Sequence, residues 1–348
     1  MNYLKKYIKL LSGISAAIII VTMLHTYVFA ASGTVNESES NDTFSTADRT
    51  YDDYNSYGYI SSNSDNCDYW VYTATYTGSA NIWLGNIPSG CNYNIYLYNG
   101  SHSYMAVSML SSGTQEIIYA RLVSGQTYYI KITRASGYST SQAYNLRIKN
   151  YPIGNSNLYT FNYTDSNGNI LNTVPSATNS TSYLSNMGYN TQNNTNHAAS
   201  SAYSSIQSSR VFVFNGHANS QLLEFYNGSS YIYAQNNYST SLSQLSSTSL
   251  SNSRLILFAG CYTSSDNSTN DFVDIALSKG ASCAIGWPDT NKVGGWRKWI
   301  PLFFYYCSQG KNVAGAMEAT DADLINDSYF GNLGQHVDGD SRPASIII

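Results

Sequence analysis

Two apolar runs decide the fold of this chain, and each ends in a residue able to do chemistry. The first is VFVFNGHANS at residues 211–220, and the second is LILFAGCYTSS at residues 255–265. A short, uninterrupted apolar run that ends in Gly and polar residues is typical of a strand buried on both faces, as in a parallel sheet. Each run is therefore predicted to be a core strand.

The segments around these runs complete a strand-helix-strand pattern. A third strand is predicted at residues 281–286, and helices are predicted at residues 198–207, 269–279 and 299–309. Strands that alternate with helices build a largely parallel sheet with right-handed crossovers. The C-terminal half is therefore predicted to be an α/β/α three-layer domain with a mainly parallel sheet.

The N-terminal half has a different pattern. From about residue 37 to residue 150, short alternating strands are separated by Gly, Asn and Ser turns, which is typical of an all-β sandwich. The clearest strands are residues 69–73, 81–84, 93–98, 128–132 and 144–148. Residues 151–158 contain Pro152 and Gly154 and are predicted to be the linker, so the second domain spans residues 159–348.

Residues 1–30 have the features of a signal peptide. Lys5, Lys6 and Lys9 precede a mostly apolar run at residues 10–24, and Val28 and Ala30 satisfy the small-residue cleavage rule. The alternative is an uncleaved anchor helix, but the run is shorter than the roughly 20 apolar residues that span a bilayer. We expect a secreted or extracellular protein with no transmembrane segment after signal cleavage, and association with the cell surface stays open.

Charge and cysteine content restrict the function further. Without the three leader lysines, 14 of the 17 basic residues remain against 21 acidic ones, a net charge of −7. Nucleic-acid binding is therefore not expected, because it needs a concentrated positive face. The five cysteines are an odd number, so at least one thiol lacks an intramolecular disulfide partner. Two pairings are open, between Cys67 and Cys91 and between Cys283 and Cys307, with buried thiols as the alternative.

The two decisive strands each lead into a chemical group. The first continues into His217 and the second into Cys261. Because reactive groups collect at the carboxyl ends of parallel strands, adjacent strands would bring these residues to one rim. A cysteine thiolate is strongly nucleophilic, and a neighbouring imidazole can take its proton. Backbone N–H groups in the same turns can hold the oxyanion of an attacked acyl carbonyl.

These residues resemble the caspase-like cysteine peptidases, and the bacterial CHAT-type branch among them. That family has a strand ending in His-Gly and a second strand ending in a small residue and Cys. SKGASCAIGW at residues 278–287, an aromatic helix at 301–307 and GKNVAGAMEAT at 310–320 follow the family's order, and the resemblance covers about residues 159–320. It implies that His217 is the general base, that Cys261 is the nucleophile, and that the backbone N–H groups of Ala218 and Cys261 form the oxyanion hole. Ala218 departs from the family's Gly at that position.

The N-terminal half resembles another module, the bacterial pre-peptidase C-terminal domain. The matching pieces, in the family's order, are ESNDTFSTA at residues 39–47, SDNCDYWVYT at 64–73, YNIYLYN at 93–99, SGQTYYIKI at 124–132 and AYNLRI at 143–148. The resemblance implies an accessory role in secretion, folding or substrate contact. Asp65 and Asp68 are candidates for binding a cation, and solvated carboxylates are the favoured alternative. We expect no cofactor and no metal, with calcium left open.

Substrate preference is expected to depend on a carboxylate downstream of the nucleophile. Such a group would select a basic P1 side chain. Asp271 and Asp274 are expected on the exposed face of a helix, so Asp289 is the preferred candidate. The tryptophans at 287, 296 and 299 either line a substrate groove or pack over the sheet.

The sequence thus predicts a secreted cysteine endopeptidase that hydrolyses polypeptide substrates through a Cys/His dyad and an acyl-enzyme. The alternative is a catalytically silent caspase-like scaffold in a surface or extracellular binding protein. No His-Glu-x-x-His or Gly-x-Ser-x-Gly motif supports a zinc or serine hydrolase.

Overall fold

The structure is a computed structural model that describes residues 31–111, 114–164, 168, 170–225, 228–264, 270–288, 293–326 and 347–348. The predicted leader at residues 1–30 and Asp289 lie outside the described residues. None of the helices in the described ranges combines the length and apolar character needed to cross a membrane.

The N-terminal region consists of ten strands in two five-stranded sheets. The strands are β1 Gly33–Asn36, β2 Asp48–Arg49, β3 Tyr54–Gly58, β4 Cys67–Thr73, β5 Gly78–Gly85, β6 Asn92–Asn99, β7 Tyr104–Ser108, β8 Glu116–Leu122, β9 Thr127–Ser136 and β10 Tyr144–Asn150. One sheet has the order β1-β3-β10-β5-β8, and the other has the order β2-β4-β9-β6-β7. All five predicted strands are confirmed, and the region begins earlier than predicted because β1 precedes residue 37.

Alternation along the strands explains why the two sheets pack together. Buried and half-buried residues alternate along β8 and β10, so every second side chain faces the other sheet. Trp70, Ile82 and Leu97 are each fully buried in the single core cluster between the sheets. This is the arrangement of a β-sandwich.

The C-terminal region contains a five-stranded parallel sheet, two hairpins and five α-helices among its described residues. The sheet strands are β11 Asn155–Thr160, β14 Asn190–Thr195, β15 Val211–Asn215, β18 Leu255–Ala259 and β19 Ala284–Ile285, in the order β14-β11-β15-β18-β19. The hairpins pair β12 Asn162–Thr164 with β13 Ile170–Asn172 and β16 Leu222–Phe225 with β17 Ser230–Tyr233. The helices are α1 Val174–Asn186, α2 Ala199–Ser208, α3 Phe272–Ser278, α4 Val293–Ser308 and α5 Val313–Leu324.

Helices cover both faces of this sheet. Along β15, Val211 and Val213 belong to the core cluster shared with α1, α4 and α5, whereas Phe212 and Phe214 belong to the cluster shared with α2 and α3. All five residues of β15 and of β18 are buried, as the uninterrupted apolar runs predicted. The predicted parallel sheet with flanking helices is confirmed.

The connection between the two regions is shorter than the predicted linker. β11 begins at Asn155, inside residues 151–158, and pairs with both β14 and β15. Leu158 and Tyr159 are almost fully buried, because β11 is an interior strand of the sheet. The mixed composition of β11 gave no sequence signal that this segment is an interior strand. Pro152 and Gly154 mark the only part of the predicted linker that stays outside the strand.

A buried arginine joins the two regions. Arg254, which is 2% exposed, donates to Asn81 of the sandwich at 3.2 Å and to the carbonyl of Ile347 at 3.4 Å. Its guanidinium lies 4.4 Å from the ring centroid of Tyr151. Ile348 is buried in the adjacent core cluster. The contact therefore combines hydrogen bonds from the guanidinium with an aromatic face.

Candidate active site

The register of the central strands places His217 and Cys261 at equivalent positions on neighbouring strands. β15 and β18 run parallel, and their last paired residues are Asn215 and Ala259. His217 and Cys261 each follow that pair by two residues. The N–H of Gly216 donates to the carbonyl of Ala259 at 3.1 Å, so the chains stay side by side as they leave the sheet. Both residues therefore lie at one edge, where adjacent backbones are about 5 Å apart.

The loop that carries His217 is attached to the β16–β17 hairpin. The N–H of Glu224 donates to the carbonyl of His217 at 2.9 Å, and Ala218 forms an isolated antiparallel bridge with Leu223. The imidazole of His217 is exposed. The hairpin thus fixes the backbone of the histidine, while its side chain is reachable from solvent.

Cys261 lies at the bend where the chain leaves β18. It is half-buried and packs against the core cluster shared with α1, α4 and α5. The next residue, Tyr262, adopts φ 57° and is 42% exposed. The left-handed region is uncommon for a residue with a side chain, and such residues cluster at functional turns. The bend leaves the cysteine between the sheet core and the surface.

One buried hydroxyl holds this bend in place. Thr263 Oγ1 lies 2.7 Å from the carbonyl oxygen of Phe258 and 3.0 Å from that of Gly260, and it accepts the N–H of Trp287 at 3.1 Å. The N–H of Ser264 also donates to the carbonyl of Trp287, at 3.1 Å. The turn that carries Cys261 is therefore hydrogen-bonded both to the end of β18 and to Trp287, which follows β19.

Ala218 and Gly260 form the contact between the histidine and cysteine loops. A Cβ placed on Gly260 would lie 2.4 Å from the Cβ of Ala218. The methyl group of Ala218 therefore occupies the space that Gly260 leaves open. Ala218 retains its backbone N–H, the group that the family resemblance assigns to the oxyanion hole.

The backbone before His217 is supported from helix α1. Thr173 Oγ1 donates to the carbonyl of Asn215 at 2.7 Å, and Asn215 Nδ2 donates to Ser176 Oγ at 2.8 Å. These groups are fully or almost fully buried. Because buried polar groups are costly to leave unpaired, the bonds fix where β15 ends.

The carboxylates proposed for substrate selection do not all lie where they were expected. Asp271 is 1% exposed, and its side chain accepts the N–H of Asp274 at 3.0 Å at the start of α3. The expectation of an exposed position is wrong for Asp271, because its carboxylate caps the helix. Asp274 is half-buried. Asp289, the preferred candidate, lies outside the described residues.

The tryptophans fill the core. Trp287, Trp296 and Trp299 are at most 1% exposed and stack in edge-to-face pairs around Trp287. Of the two alternatives, packing over the sheet holds, and a groove lining does not. Trp299 Nε1 donates to Asp321 at 2.8 Å.

The remaining cysteines of the C-terminal region are buried thiols. Cys283 and Cys307 lie in the same core cluster, and no disulfide joins them. Burial raises the pKa of Cys283 to about 12 and raises the pKa of Cys307 further. Such thiols are protonated at neutral pH and unreactive, unlike a nucleophile.

The sandwich contains a cluster of carboxylates of which only Asp68 was predicted from the sequence as a candidate cation ligand. Carboxylate oxygens of Glu37, Glu39 and Asp68 lie within 4.8 Å of one another. Asp68 is fully buried, so its expected solvation is wrong. Its Oδ2 accepts the hydroxyl of Tyr144 at 2.6 Å, and its Oδ1 has no hydrogen-bond partner among the described residues.

Burial dominates the ionisation of these carboxylates. Burial, with the added charge of Glu39, raises the pKa of Glu37 to about 7. Burial, with the charge of Glu37, raises the pKa of Asp68 to about 9. Oxygen atoms of Asn41 and Asp65 are also buried without hydrogen-bond partners in the described part of the chain. The alternating acids of ESESND, at residues 37–42, were the available signal.

Comparisons with known proteins give a limited result. No family model matches the chain, and no curated protein matches it. Among solved structures, the pre-peptidase C-terminal domain of a collagenase from Bacillus anthracis is 18% identical over 30% of this chain and 94% of that chain, with a TM-score of 0.26.

Two esterase structures are similar over more of the chain but more weakly. A family two carbohydrate esterase from Clostridium thermocellum in complex with cellohexaose is 8% identical, with a TM-score of 0.16, over 73% of this chain and 78% of that chain. An acetyl xylan esterase from Butyrivibrio proteoclasticus is 10% identical, with a TM-score of 0.16, over 65% of this chain and 84% of that chain. Likenesses at these scores carry no argument about activity.

Proposed function

We propose that this chain is a secreted, caspase-like cysteine endopeptidase whose sandwich is a pre-peptidase C-terminal-like accessory domain. One observation carries the proposal. β15 and β18 are parallel neighbours, and their register puts an exposed histidine and a half-buried cysteine at equivalent positions beyond the last paired residues. In α/β enzymes, active-site residues commonly lie at the carboxyl edge of the parallel sheet, where loops from neighbouring strands meet.

The chemistry follows from the two groups. His217 accepts the thiol proton of Cys261, and the thiolate attacks the carbonyl carbon of the scissile peptide bond. Backbone N–H groups of Ala218 and Cys261 stabilise the oxyanion. The C–N bond then breaks, His217 returns the proton to the leaving amine, and a thioester remains. Water, deprotonated by His217, attacks the thioester and releases the carboxylic acid and the thiol.

A positional peptide library tests the proposal. We expect turnover by the secreted protein and its loss in Cys261→Ala and in His217→Ala. Cys67→Ala is the matched control, because Cys67 is a half-buried cysteine on β4 of the sandwich. Turnover that survives Cys261→Ala overturns the dyad.

A covalent probe separates the enzyme from the catalytically silent binding protein. An acyloxymethyl-ketone peptide alkylates an active thiolate, which displaces the probe's carboxylate and forms a thioether. We expect labelling at Cys261 in the parent and in Cys67→Ala, and none in His217→Ala. Intact protein that neither turns over peptides nor reacts favours the binding-protein alternative.

We also propose that the sandwich binds a divalent cation at Glu37, Glu39 and Asp68. The buried, unpartnered Oδ1 of Asp68 beside two further carboxylates supports this proposal, because hard cations take oxygen ligands. Calcium is the expected ion, since flexible carboxylate sets suit it better than magnesium.

Thermal unfolding with and without calcium tests the cation site. Free calcium at ten times its Kd would stabilise the folded state by about 1.4 kcal/mol. Glu39→Gln should abolish the rise in Tm with calcium, whereas Glu318→Gln, at an exposed position on α5, should retain it. An unchanged parent Tm in millimolar calcium refutes the site.

A further inference from the structure

A pocket opens beside His217, and Glu224 is the one acidic residue among the described residues that line it. The pocket has a volume of about 380 Å³ and is lined by His217, Ala218, Asn219, Leu222 and Glu224. This volume lies within the ordinary range for ligand pockets, about 300–1,000 Å³. Ala218, Asn219 and Leu222 carry no charge, so Glu224 supplies the negative charge of this lining.

The position of Glu224 is fixed by its backbone and its side chain. Its N–H bonds to the carbonyl of His217 at 2.9 Å, which ties the carboxylate to the histidine loop. The hydroxyl of Tyr163 donates to Glu224 Oε1 at 2.6 Å. Gly228, at φ 77°, approaches the carboxylate so closely that a Cβ there would lie 3.0 Å from Oε1. The carboxylate is therefore held on β16 rather than free to leave the pocket.

Within the described residues, no cation of this chain neutralises Glu224. The ion pairs of Asp53 with Arg147 and Lys149 lie in the sandwich, away from Glu224. Tyr163 occupies Oε1, and the hydrogen bond leaves further acceptor capacity on the carboxylate for a ligand. A half-buried carboxylate binds a cation more strongly than an exposed one, because solvent screens it less.

The uncharged lining favours a cation with an apolar stem. Leu222 offers an aliphatic surface, and Asn219 Oδ1 is already engaged by the N–H groups of Gln221 and Leu222, at 2.8 and 3.0 Å. Arginine and lysine side chains have this shape, with an aliphatic stem and a cationic end. A glutamate or aspartate side chain would meet like charge at Glu224.

We propose that this pocket receives the arginine or lysine side chain of a residue adjoining the scissile bond, with Glu224 as the specificity-determining group. The assignment rests on the proposed peptidase function of His217 and Cys261. It also differs from the sequence expectation, which gave this role to Asp289. The backbone N–H of Glu224 donates to the backbone carbonyl of His217, so a side chain that reaches Glu224 belongs to a residue close to the scissile bond.

Matched substrates measure the effect of the charge. Peptides with arginine or citrulline at P1, and a second pair varied at P1′, differ only in a charged end group. We expect the parent to prefer arginine at one of these positions. Glu224→Gln keeps an acceptor for Tyr163, and it should lower the arginine-to-citrulline ratio of kcat/KM by about 10- to 100-fold, the range for a hydrogen bond to a charged group.

Controls distinguish a specific role from a structural one. Glu318→Gln, on the exposed surface of α5, should keep the parent ratio. A parent that cleaves without preferring arginine or lysine overturns the inference. So does a ratio that Glu224→Gln leaves unchanged while Asp289→Asn lowers it.

A binding measurement decides the pocket independently of turnover. N-acetyl-arginine amide and N-acetyl-citrulline amide are titrated into Cys261→Ala protein by NMR. Stronger binding of the arginine ligand that disappears in the Glu224→Gln, Cys261→Ala double variant supports the pocket, and equal binding of both ligands refutes it. A parent that cleaves no peptide refutes the peptidase proposal, and the titration still decides the charge preference.

Discussion

Gly260→Ala tests the contact between the histidine and cysteine loops. The new Cβ would lie 2.4 Å from the Cβ of Ala218, about 1 Å inside ordinary contact, and 3.3 Å from Phe214 Cε1 and Thr263 Cγ2. Ala218 is bridged to Leu223, and Thr263 is fully buried and hydrogen-bonded, so neither can move away without loss of packing or hydrogen bonds. Overpacking of this kind costs about 1–3 kcal/mol in the free energy of unfolding.

A double-mutant cycle isolates the Ala218 contribution. Ala218→Gly alone should cost about 0.5–1 kcal/mol from backbone entropy, yet in the Gly260→Ala background it removes the shortest contact. We expect a favourable coupling of about 1 kcal/mol, limited by the two 3.3 Å contacts that remain. Ala316→Gly, in the core on the opposite face of the sheet, should be additive with Gly260→Ala.

Urea unfolding of the single and double variants gives the four free energies. Coupling between Ala218 and Gly260 below about 0.5 kcal/mol, the usual range of additivity, would refute the predicted approach of the two loops. The dyad would then rest on the register of β15 and β18 alone, without the contact between the two loops. Coupling that equals the Ala316 control would have the same meaning.

Three further outcomes follow from single hydrogen-bonding groups. Thr263→Val should lower the free energy of unfolding by about 2–3 kcal/mol in urea, because the N–H of Trp287 loses its acceptor in a buried site, whereas Thr263→Ser should retain most of the stability. Burial raises the pKa of Asp321 to about 6, so the contribution of its protonated form to stability is present below pH 4 and is lost as pH rises toward 6. Asp321→Asn keeps an acceptor for Trp299 and should gain stability relative to the parent across that pH window. A difference in stability that does not change with pH contradicts this prediction. Arg254→Lys should cost about 1–2 kcal/mol by thermal or urea unfolding, because one ammonium cannot place donors at both Nη1, which bonds Ser282, and Nη2, which bonds Asn81 and Ile347. An unchanged stability would show that the contact between the two regions is dispensable.

The strands were the most predictable part of the fold. Residues 211–214 and 255–259 are apolar without interruption, and a strand buried on both faces is the usual structure for such a run. The sandwich strands were equally visible, because alternation and turn residues are local signals. Helix α4 was less so, since it begins at Val293, six residues before the predicted start at 299.

Residues whose burial depends on distant partners were not predictable. Asp271 was expected on a helix surface and instead caps that helix from within the core, and Asp68 was expected to be solvated and is fully buried. Both are acidic residues, a type that is usually exposed to solvent. Only the packed structure supplies the hydrogen bonds that change this preference.

The sequence by itself determined that the two central strands form and that they end shortly before His217 and Cys261, because strand propensity and turn chemistry act over a few neighbouring residues. Tertiary structure alone decided that β15 and β18 are neighbours, that Ala218 fills the space beside Gly260, and that Glu224 comes to lie next to His217. These relations join segments distant in sequence, and their energy comes from packing and hydrogen bonds that form only when the sheet assembles.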